Sequence, residues 1–487
     1  MKNSALPVVA AALLGLLLIS RSSYAQQPQP SPAELQRKIE QLEQRIQALE
    51  GLDQKVKVLD RRVEVQQEEE RQKASETPTI KADSKGISVA SPDGAFNLRV
   101  HGLVQADGAF FANGTGKPNT STQPPNSTFE LNKVRPIFEG TFARYYDYYV
   151  MPDFGQGRTV LQEAWADAHY FPDFRIQAGK FKAPFGLERL QQDSNLFFIQ
   201  RGLTNNLVPN RDLGISVHSD ALFDNRLTYQ LALMNGVPNN TSTADFDNND
   251  AKDFVGRLFA LPFKDSGVEL VRGLGVGFAG TFGDERGASA LPKFLTAGQA
   301  AFFSYGSNVT AAGPRYRYSP QGYYYAGPFG LLAEYVNDTQ REVATGTISF
   351  KNKKKQTVKV PFRDFETFAN HAWQVQAGYL LTGEDESYYG IKPFHDFDPS
   401  EGRWGAFEIK SRVGGLGVDS DIFKDGFASA STSARTATEF GGGLNWYLNR
   451  NLKLSFEYLR TFFDKGAVGG KDRRDESAFL TQAQFLF

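Results

Sequence analysis

Arginine and lysine side chains recur two residues apart in several segments where polar and apolar residues alternate. The pairs are Lys180 with Lys182, Arg315 with Arg317, and Lys410 with Arg412. A spacing of two places both side chains on one face of a β-strand, where they form a row of positive charge. The guanidinium group meets phosphate or carboxylate oxygens through two parallel hydrogen bonds. These residues therefore indicate either anion binding or charge compensation, and the elements that hold them decide between the two.

Other kinds of chemistry have little support in the sequence. The five histidines, at positions 101, 169, 218, 371 and 395, lack the short spacings of a zinc site, and the chain has no cysteine. Residues 275–280 fit the dinucleotide pattern G-x-G-x-x-G, but they lie inside an alternating strand rather than between a strand and a helix. We therefore expect no metal, no cofactor and no enzymatic activity. The formal net charge of −1 offers no basis for binding nucleic acid.

The first 25 residues predict export. Lys2 precedes an apolar run at residues 8–19, and Ser23 and Ala25 place small residues at the −3 and −1 positions of a cleavage site. The run is shorter than the roughly 20 residues that a spanning helix needs. We expect cleavage after Ala25, with an uncleaved anchor as the alternative.

The last ten residues indicate a β-barrel. Phe479, Thr481, Ala483, Phe485 and Phe487 alternate with residues that include Gln482 and Gln484. A half-polar strand that runs to a terminal Phe is typical of the closing strand of an outer-membrane barrel. The terminal aromatic resembles the signal that the barrel-assembly machinery reads. The alternative is an edge strand of a soluble protein.

A helical region precedes the barrel. After a Pro-rich linker at residues 26–31, apolar residues follow the spacing of 4 and 3 that forms a coiled-coil seam. They are Leu35, Ile39, Leu42, Ile46 and Leu49, and then Leu52, Val56, Leu59 and Val63. We expect a signal peptide at 1–25, a periplasmic linker and coiled coil at 26–85, and a barrel at 86–487. A single helix packed on the barrel mouth is the alternative to the coiled coil.

Alternating segments fill the rest of the chain, with polar residues on one face and apolar residues on the other. Such a dyad period is what a water-filled membrane barrel needs. We predict antiparallel strands near 95–107, 131–143, 147–154, 160–170, 174–182, 213–219, 227–234, 253–262, 273–282, 315–326, 331–337, 371–382, 404–413, 436–447, 451–462 and 478–487. Sixteen strands are an even number, as bacterial barrels require, and leave an aqueous channel. The segment 383–403 is an exception, because strand parity makes it a long turn on the periplasmic side, where short turns are expected.

Several stretches of the barrel region resemble the phosphate-selective porin O/P family. They are residues 139–148 (EGTFARYYDY), 179–188 (GKFKAPFGLE), 381–384 (LTGE), 405–408 (GAFE) with Arg412, and 443–449 (GLNWYLN). They occur in the family's order through nearly all of residues 90–487, and the second stretch is the most specific. The resemblance implies an all-β, sixteen-stranded, trimeric outer-membrane channel, in which the third outer loop folds into the lumen and cations hold phosphate.

Strand parity and the third loop then define the candidate anion pathway. We assign to it Arg99, Arg135, Arg175, Lys180, Lys182, Arg189, Arg201, Arg211, Arg257, Arg315, Arg317, Lys410 and Arg412, and parity also turns Lys453 inward. Strict alternation would turn Lys180 and Lys182 away from the face of Arg175, so these two need a bulge or a position above the bilayer. Rings of such cations favour anions.

The same cations could instead brace the barrel wall. Inward carboxylates are available as partners, namely Glu139, Glu163, Asp167, Asp253, Glu408 and Glu457. Lys351 and Lys353 to Lys355 form a further basic run in an outer loop, which steers anions or is simply solvated. The main hypothesis is a passive porin that prefers anions, with phosphate as the solute. The rivals are a general or structural barrel tethered to the envelope by its coiled coil, a barrel lipase, and a soluble periplasmic sugar-binding protein.

Overall fold

The computed structural model describes residues 31–112, 126–242, 250–287, 291–351 and 355–487. The expected signal peptide at 1–25, most of the linker, Lys353 and Lys354 lie outside these ranges. The described chain divides into two compact units after Glu76. None of the described helices is long and apolar enough to cross a membrane.

The first unit is one helix, α1, Pro32–Glu76. It runs through Gly51 without a break, and the apolar seam lies along its exposed surface, with Leu35 49% and Leu49 63% exposed. The predicted helix is therefore confirmed, whereas its pairing with other helices stays a prediction. An apolar stripe exposed from Leu35 to Val63 is what a helix that associates with further helices would present.

A short hairpin joins the helix to the barrel. Its strands β1 (Thr79–Asp83) and β2 (Gly86–Ala90) pair with each other. Strand β2 also pairs, antiparallel, with the first barrel strand, β3 (Asn97–Phe111). The boundary between the two units thus lies after Glu76 rather than after residue 85, where the composition had suggested it. The reason is that backbone hydrogen bonds join residues 79–83 to residues 86–90, and residues 87–90 to strand β3 of the barrel.

Sixteen antiparallel strands close into a barrel, as predicted. After β3 they are β4 (Thr128–Phe142), β5 (Tyr146–Asp153), β6 (Val160–Phe171), β7 (Phe174–Lys182), β8 (Arg211–Ala221), β9 (Leu227–Met234), β10 (Asp253–Ala260), β11 (Leu274–Gly287), β14 (Val309–Ala326), β15 (Phe329–Lys351), β16 (Thr357–Leu380), β17 (Ala406–Gly417), β18 (Ala434–Tyr447), β19 (Leu452–Ala467) and β21 (Glu476–Leu486). Pairing of β21 with β3 closes the ring. Closure leaves no open sheet edge, which a membrane would not tolerate.

The remaining elements are short. They are the strands β12 (Phe294–Leu295), β13 (Ala301–Phe303) and β20 (Lys471–Asp472), the helices α2 (Leu187–Leu190), α3 (Leu222–Asn225), α4 (Glu269–Arg272) and α5 (Asp421–Lys424), and the 3₁₀ turns Gly155–Gly157, Asp193–Asn195, Leu203–Leu207, Pro399–Glu401 and Val468–Gly470. All of them lie in the connections between barrel strands. The barrel wall itself is therefore built by the sixteen long strands.

The C-terminal residue, Phe487, takes part in the pairing of the last strand with the first. The backbone N–H of Phe487 donates to the carbonyl of Gly102, and the Gly102 N–H donates to the carbonyl of Phe487. A side chain at Gly102 would come within 2.4 Å of the Phe487 ring, so only glycine leaves room for it. The terminal aromatic thus completes the pairing between the last strand and the first.

Alternation along the strands separates two environments. In β19 the side chain of Glu457 is 1% exposed, whereas its neighbour Tyr458 is 50% exposed. The parity predicted from the sequence therefore holds, with polar residues inside and apolar residues outside. An outer surface of this kind suits lipid, and a polar interior suits water.

Connections differ between the two ends of the barrel. The end that carries Phe487 has mostly short turns, such as 143–145, 172–173, 327–328 and 448–451. Long connections lie at the other end, among them 183–210 and 418–433. Below, these are the short-turn end and the long-loop end. In outer-membrane barrels the short turns face the periplasm.

The segment 381–405 is long although it lies at the short-turn end. Its chain bends into the barrel: the Glu386 N–H donates to the Gly327 carbonyl at 2.7 Å, and the Tyr388 hydroxyl donates to the Leu187 carbonyl at 2.7 Å. The length of this turn, which the sequence left unexplained, lets it reach the interior and support the chain that crosses there.

Strands β15 and β16 are much longer than predicted. The structure pairs them without a register shift from Phe329↔Tyr379 to Lys351↔Thr357, although the sequence suggested a loop at 338–370. That prediction was wrong because residues beyond 337 lose the apolar-outward pattern. A strand that extends past the membrane has no lipid to face, so the pattern cannot reveal it.

Candidate functional site

The connection between β7 and β8, residues 183–210, folds into the barrel and is called the inward segment. Its apolar side chains are almost fully buried, with Phe185, Leu187 and Leu207 at 0% exposure. Leu187 and Phe197 pack with Tyr323 and Leu332 of the far wall. The inward segment is therefore a packed part of the interior rather than a surface loop, as the family resemblance implied.

Hydrogen bonds anchor the inward segment to strands on the opposite wall. The Leu187 N–H donates to Glu334 on β15 at 2.7 Å, and the Ile199 N–H donates to Glu457 on β19 at 3.0 Å. The ammonium group of Lys453 donates to the carbonyl of Ser194 at 2.9 Å. Charged side chains of the wall thus satisfy backbone groups that would otherwise be buried without partners.

Glu188 is the central carboxylate of this anchoring. It accepts hydrogen bonds from the Gly202 N–H at 3.0 Å, from Gln374 Nε2 at 2.9 Å and from Gln376 Nε2 at 2.6 Å. The Arg412 guanidinium lies 4.0 Å away. A buried carboxylate with three donors and a nearby cation is well compensated, so Glu188 holds two parts of the inward segment against β16.

The inward segment divides the free interior into two chambers. The chamber toward the short-turn end has a volume of about 830 Å³, and the chamber toward the long-loop end about 590 Å³. Three residues line both: Arg135 of β4, Arg211 of β8 and Asp193 of the inward segment. The place where the two chambers meet, called the constriction, is therefore formed by these three side chains.

Ion pairs organise the constriction. Arg135 Nε lies 2.7 Å from Asp153, and its Nη1 also contacts Asp193. Arg201 lies 2.6 Å from Asp193, and Arg211 lies 2.9 Å from Glu163. Three cations are thus matched by three carboxylates.

Three further cations adjoin the constriction and bind neutral groups instead. Lys133 Nζ donates to Gln105 at 2.8 Å, Lys182 Nζ donates to the Gln191 carbonyl at 2.9 Å, and Arg189 Nη2 donates to Asn240 at 2.6 Å. Within the described residues none of the three contacts a carboxylate as an ion pair. Counted as formal charges, the constriction and its border therefore carry three more cations than carboxylates, an excess of three positive charges.

The walls of both chambers extend this positive field. The chamber toward the short-turn end is lined by eight arginines and lysines and by three carboxylates. The chamber toward the long-loop end is lined by six arginines and lysines and by two carboxylates. Confinement by low-dielectric walls strengthens the field of such charges on a passing ion.

Asp193 stays ionised among these cations. Burial alone would raise the pKa of Asp193, but Arg201, Lys133 and Arg135 hold this pKa well below its usual range. Its negative charge therefore offsets part of the positive charge at the constriction.

The structure divides the predicted pathway residues into two groups. Those that line a chamber are Arg99, Arg135, Lys182, Arg189, Arg201 and Arg211. Lys182 reaches the lumen because it lies at the end of β7, where the chain turns inward. The cations of this group form the candidate anion site.

The others lie in the wall or in ion pairs, outside both chambers, and of these Arg175 is partly exposed and lines a separate cavity at the short-turn end. Five of them form ion pairs: Arg175 with Asp147 and Asp167, Arg315 with Asp253 and Glu285, Arg317 with Asp253 and Asp338, Lys410 with Glu457, and Arg412 with Glu439. Lys180 is buried. Arg257 donates a hydrogen bond to Gln321 and stacks on the ring of Phe259. These residues therefore do not line either chamber, and a contribution of theirs to the pathway stays a prediction. The reason is that carboxylates distant in sequence approach them once the barrel closes.

Further charged residues line the chambers and were missed, namely Lys85, Lys133, Asp153, Arg158, Asp193, Lys392 and Arg450. Lys133 shares the parity of Arg135, two residues away, so its inward direction was available from the sequence. A register shift at Asn132 sets the preceding residues of β4 on the opposite parity. For Arg158 and Asp193, which lie in connections, no periodic signal exists.

Comparisons with known proteins agree with this architecture. A family model described as phosphate-selective porin O and P matches residues 104–487. Porin O of Pseudomonas aeruginosa is 24% identical over 431 residues, which cover 82% of this chain and 91% of that protein. The outer membrane channel DcaP of Acinetobacter baumannii has a similar fold, with a TM-score of 0.50, 10% identity, and coverage of 81% of this chain and 98% of that one. The described residues contain no cluster of three or more His, Asp or Glu suited to a metal ion.

Proposed function

Because this chain belongs to the family of phosphate-selective porins O and P, we propose that it is an anion-preferring diffusion channel with inorganic phosphate as its solute. Membership of this family makes it an outer-membrane porin, and thus a passive channel rather than an enzyme. The observation that carries the anion preference is the excess of three positive charges at the constriction and its border. Selectivity in a pore arises where a solute passes such charges in a narrow, partly dehydrated passage.

The donors at the constriction suit a phosphate ion. Arg201 and Arg211 offer planar guanidinium groups that can meet two phosphate oxygens at once, and Lys133 and Lys182 add mobile point charges. Partial pairing with Asp193 and Glu163 keeps the attraction moderate. A channel needs this balance, because a solute that binds too tightly would not leave.

Planar-bilayer recording tests the proposal directly. In a tenfold KCl gradient we expect a reversal potential that shows chloride to be more permeant than potassium, and millimolar inorganic phosphate should reduce the chloride current. Clear cation selectivity would refute the anion preference. Anion selectivity without any effect of phosphate would leave a general anion pore and refute phosphate as the solute.

Substitution of Asp193 should sharpen the anion preference. Asp193→Asn removes the one carboxylate shared by both chambers and leaves Arg135 and Arg201 with fewer counter-charges. We expect the chloride-to-potassium permeability ratio to rise about threefold and phosphate block to occur at lower concentration. Asp284→Asn changes a partly exposed carboxylate on β11 that lines neither chamber; it is the matched control and should change neither quantity. A fall in the ratio would contradict the charge balance proposed here.

We also propose that three copies assemble and that their α1 helices form a coiled coil in the periplasm. The exposed apolar seam of α1 supports this proposal. Deletion of residues 31–76 should leave the conductance of each pore unchanged, because no residue of either chamber is removed. We expect the oligomer to dissociate at a lower temperature, as measured by light scattering in detergent. A changed conductance per pore would contradict independence of helix and channel.

Two further partners belong to the same proposal. Outer-membrane lipid would cover the exposed apolar side chains of the wall, such as Phe254 and Phe278. The barrel-assembly machinery would recognise the last strand through Phe487, whose ring is 47% exposed. An exposed aromatic at the seam is available to a partner before the barrel closes.

A further inference from the structure

The hairpin formed by β15 and β16 extends beyond its neighbours at the long-loop end. Pairing with β14 ends at Val309↔Ala344, and pairing with β17 ends at His371↔Gly417. Farther out, the two strands pair only with each other. The described residues 341–351 and 355–367 are called the outer hairpin, at whose base β15 still pairs with β14 as far as Ala344. An isolated two-stranded ribbon has marginal stability in water, so its projecting part gains from a surface to lie against.

The register determines which face of the outer hairpin points toward the membrane. Pairing of β15 with β16 has no shift, so side chains keep one alternation along the whole hairpin. Tyr335 pairs with Trp373 on the outer, lipid-facing side of the wall. Residues of the same parity farther out include Arg341, Lys351, Lys359 and Arg363. These cations therefore lie above the lipid on the outward face.

The charged residues that the structure describes on the outward face of the outer hairpin are all basic. Its acidic residues, Glu342, Asp364 and Glu366, have the opposite parity and lie on the other face. Within the described residues no ion pair joins a carboxylate to Arg341, Lys351, Lys359 or Arg363. The structure therefore leaves four outward cations without internal charge compensation.

Two of these cations are held in place by an aromatic ring. The guanidinium carbon of Arg341 lies 5.1 Å from the centroid of Phe365, and that of Arg363 lies 5.2 Å from the same centroid. Cation–π contacts of this kind orient the planar groups and reduce the freedom lost on binding. The pair is thus preorganised to receive an anion with several oxygens.

The height of these cations indicates the partner. Arg341 follows Tyr335 by six residues, about 20 Å along a strand, which strand tilt reduces to about 15 Å of height. Arg363, Lys359 and Lys351 lie progressively farther out along the hairpin. The row of cations therefore begins at the level of the lipid headgroups and continues into the region of their sugars. We propose that the outward face of the outer hairpin binds the phosphate groups of a phosphorylated glycolipid in the outer leaflet. This proposal is independent of which ion the pore prefers.

Binding of purified lipopolysaccharide to the detergent-solubilised full chain tests the proposal. The triple variant Arg341→Gln, Lys359→Gln, Arg363→Gln should bind at least tenfold more weakly than the unchanged protein. The matched control, Arg226→Gln, Lys264→Gln, Arg272→Gln, neutralises three cations at the short-turn end and should bind normally. Unchanged single-channel conductance shows that both variants fold.

Chemical variants of the probe distinguish the possible ligands. Dephosphorylated lipopolysaccharide should bind the unchanged protein as weakly as the triple variant binds the intact lipid. Millimolar inorganic phosphate should not compete, because a free ion engages only part of the row of cations. Equal affinity of the triple variant, an equal loss in the control variant, or full competition by free phosphate would each overturn the proposal.

Discussion

Neutralising three cations at the constriction is expected to abolish the anion preference. The variant Lys133→Gln, Arg201→Gln, Arg211→Gln converts the local excess of three positive charges into zero. Each charged hydrogen bond to a phosphate contributes about 1.5–3 kcal/mol, so the concentration for half-block by phosphate should rise at least a hundredfold. The chloride-to-potassium permeability ratio, obtained from the reversal potential in a KCl gradient, should fall to about one.

A matched variant controls for the change in total charge. Arg226→Gln, Arg286→Gln, Lys424→Gln removes three exposed cations that line neither chamber. Its reversal potential should equal that of the unchanged protein. If the constriction variant also kept its reversal potential, selectivity would have to arise elsewhere in the pore, and the assignment of the constriction would fail.

Removal of the Glu188 carboxylate is expected to loosen the inward segment. Glu188→Ala leaves the Gly202 N–H and Gln376 Nε2 without their acceptor, leaves Gln374 Nε2 only its hydrogen bond to Glu334, and leaves Arg412 with one acidic neighbour fewer. Breaking a buried charge network of this kind costs about 3–5 kcal/mol. We expect a lower urea midpoint for barrel unfolding and a larger, noisier single-channel current, because the inward segment no longer narrows the lumen reliably.

The appropriate comparison for Glu188→Ala is a carboxylate with an exposed partner. Asp284→Ala removes a surface ion pair with Arg286, which lies at 2.8 Å. Surface pairs contribute about 0–1 kcal/mol, so the midpoint and the current should barely change. A quiet, unaltered current in Glu188→Ala would show that the other anchors, such as Lys453 and Glu457, suffice to hold the inward segment.

Strand number and direction were predictable because they depend on short-range periodicity. Every predicted strand has its counterpart in the barrel, and parity assigned the inward faces of β3, β10, β17 and β19 correctly. A strand that separates lipid from water must alternate, and alternation is visible within ten residues. The extensions of β15 and β16 were not predicted because they lie beyond the membrane, where a strand no longer has to alternate.

The role of each inward cation was not predictable. Parity turns Arg135 and Arg412 inward alike, yet Arg135 lies at the constriction while Arg412 pairs with Glu439 and lies near Glu188. Glu188 and Arg412 are more than two hundred residues apart, and no local pattern records their approach. Whether a cation pairs with a carboxylate of the wall or remains available to a solute depends on which carboxylates lie close to it in the folded barrel.

The sequence by itself determined a closed barrel of sixteen strands, a polar interior and a helix before it, because alternation and helical period act between neighbouring residues. Only the tertiary structure decided where the passage narrows, which cations remain uncompensated, and how the turn at 381–405 supports the inward segment. These properties arise from the folding of connections into the lumen, where charges far apart in the chain meet at short range. Buried electrostatics depends on such distances, and they exist only after the barrel has closed.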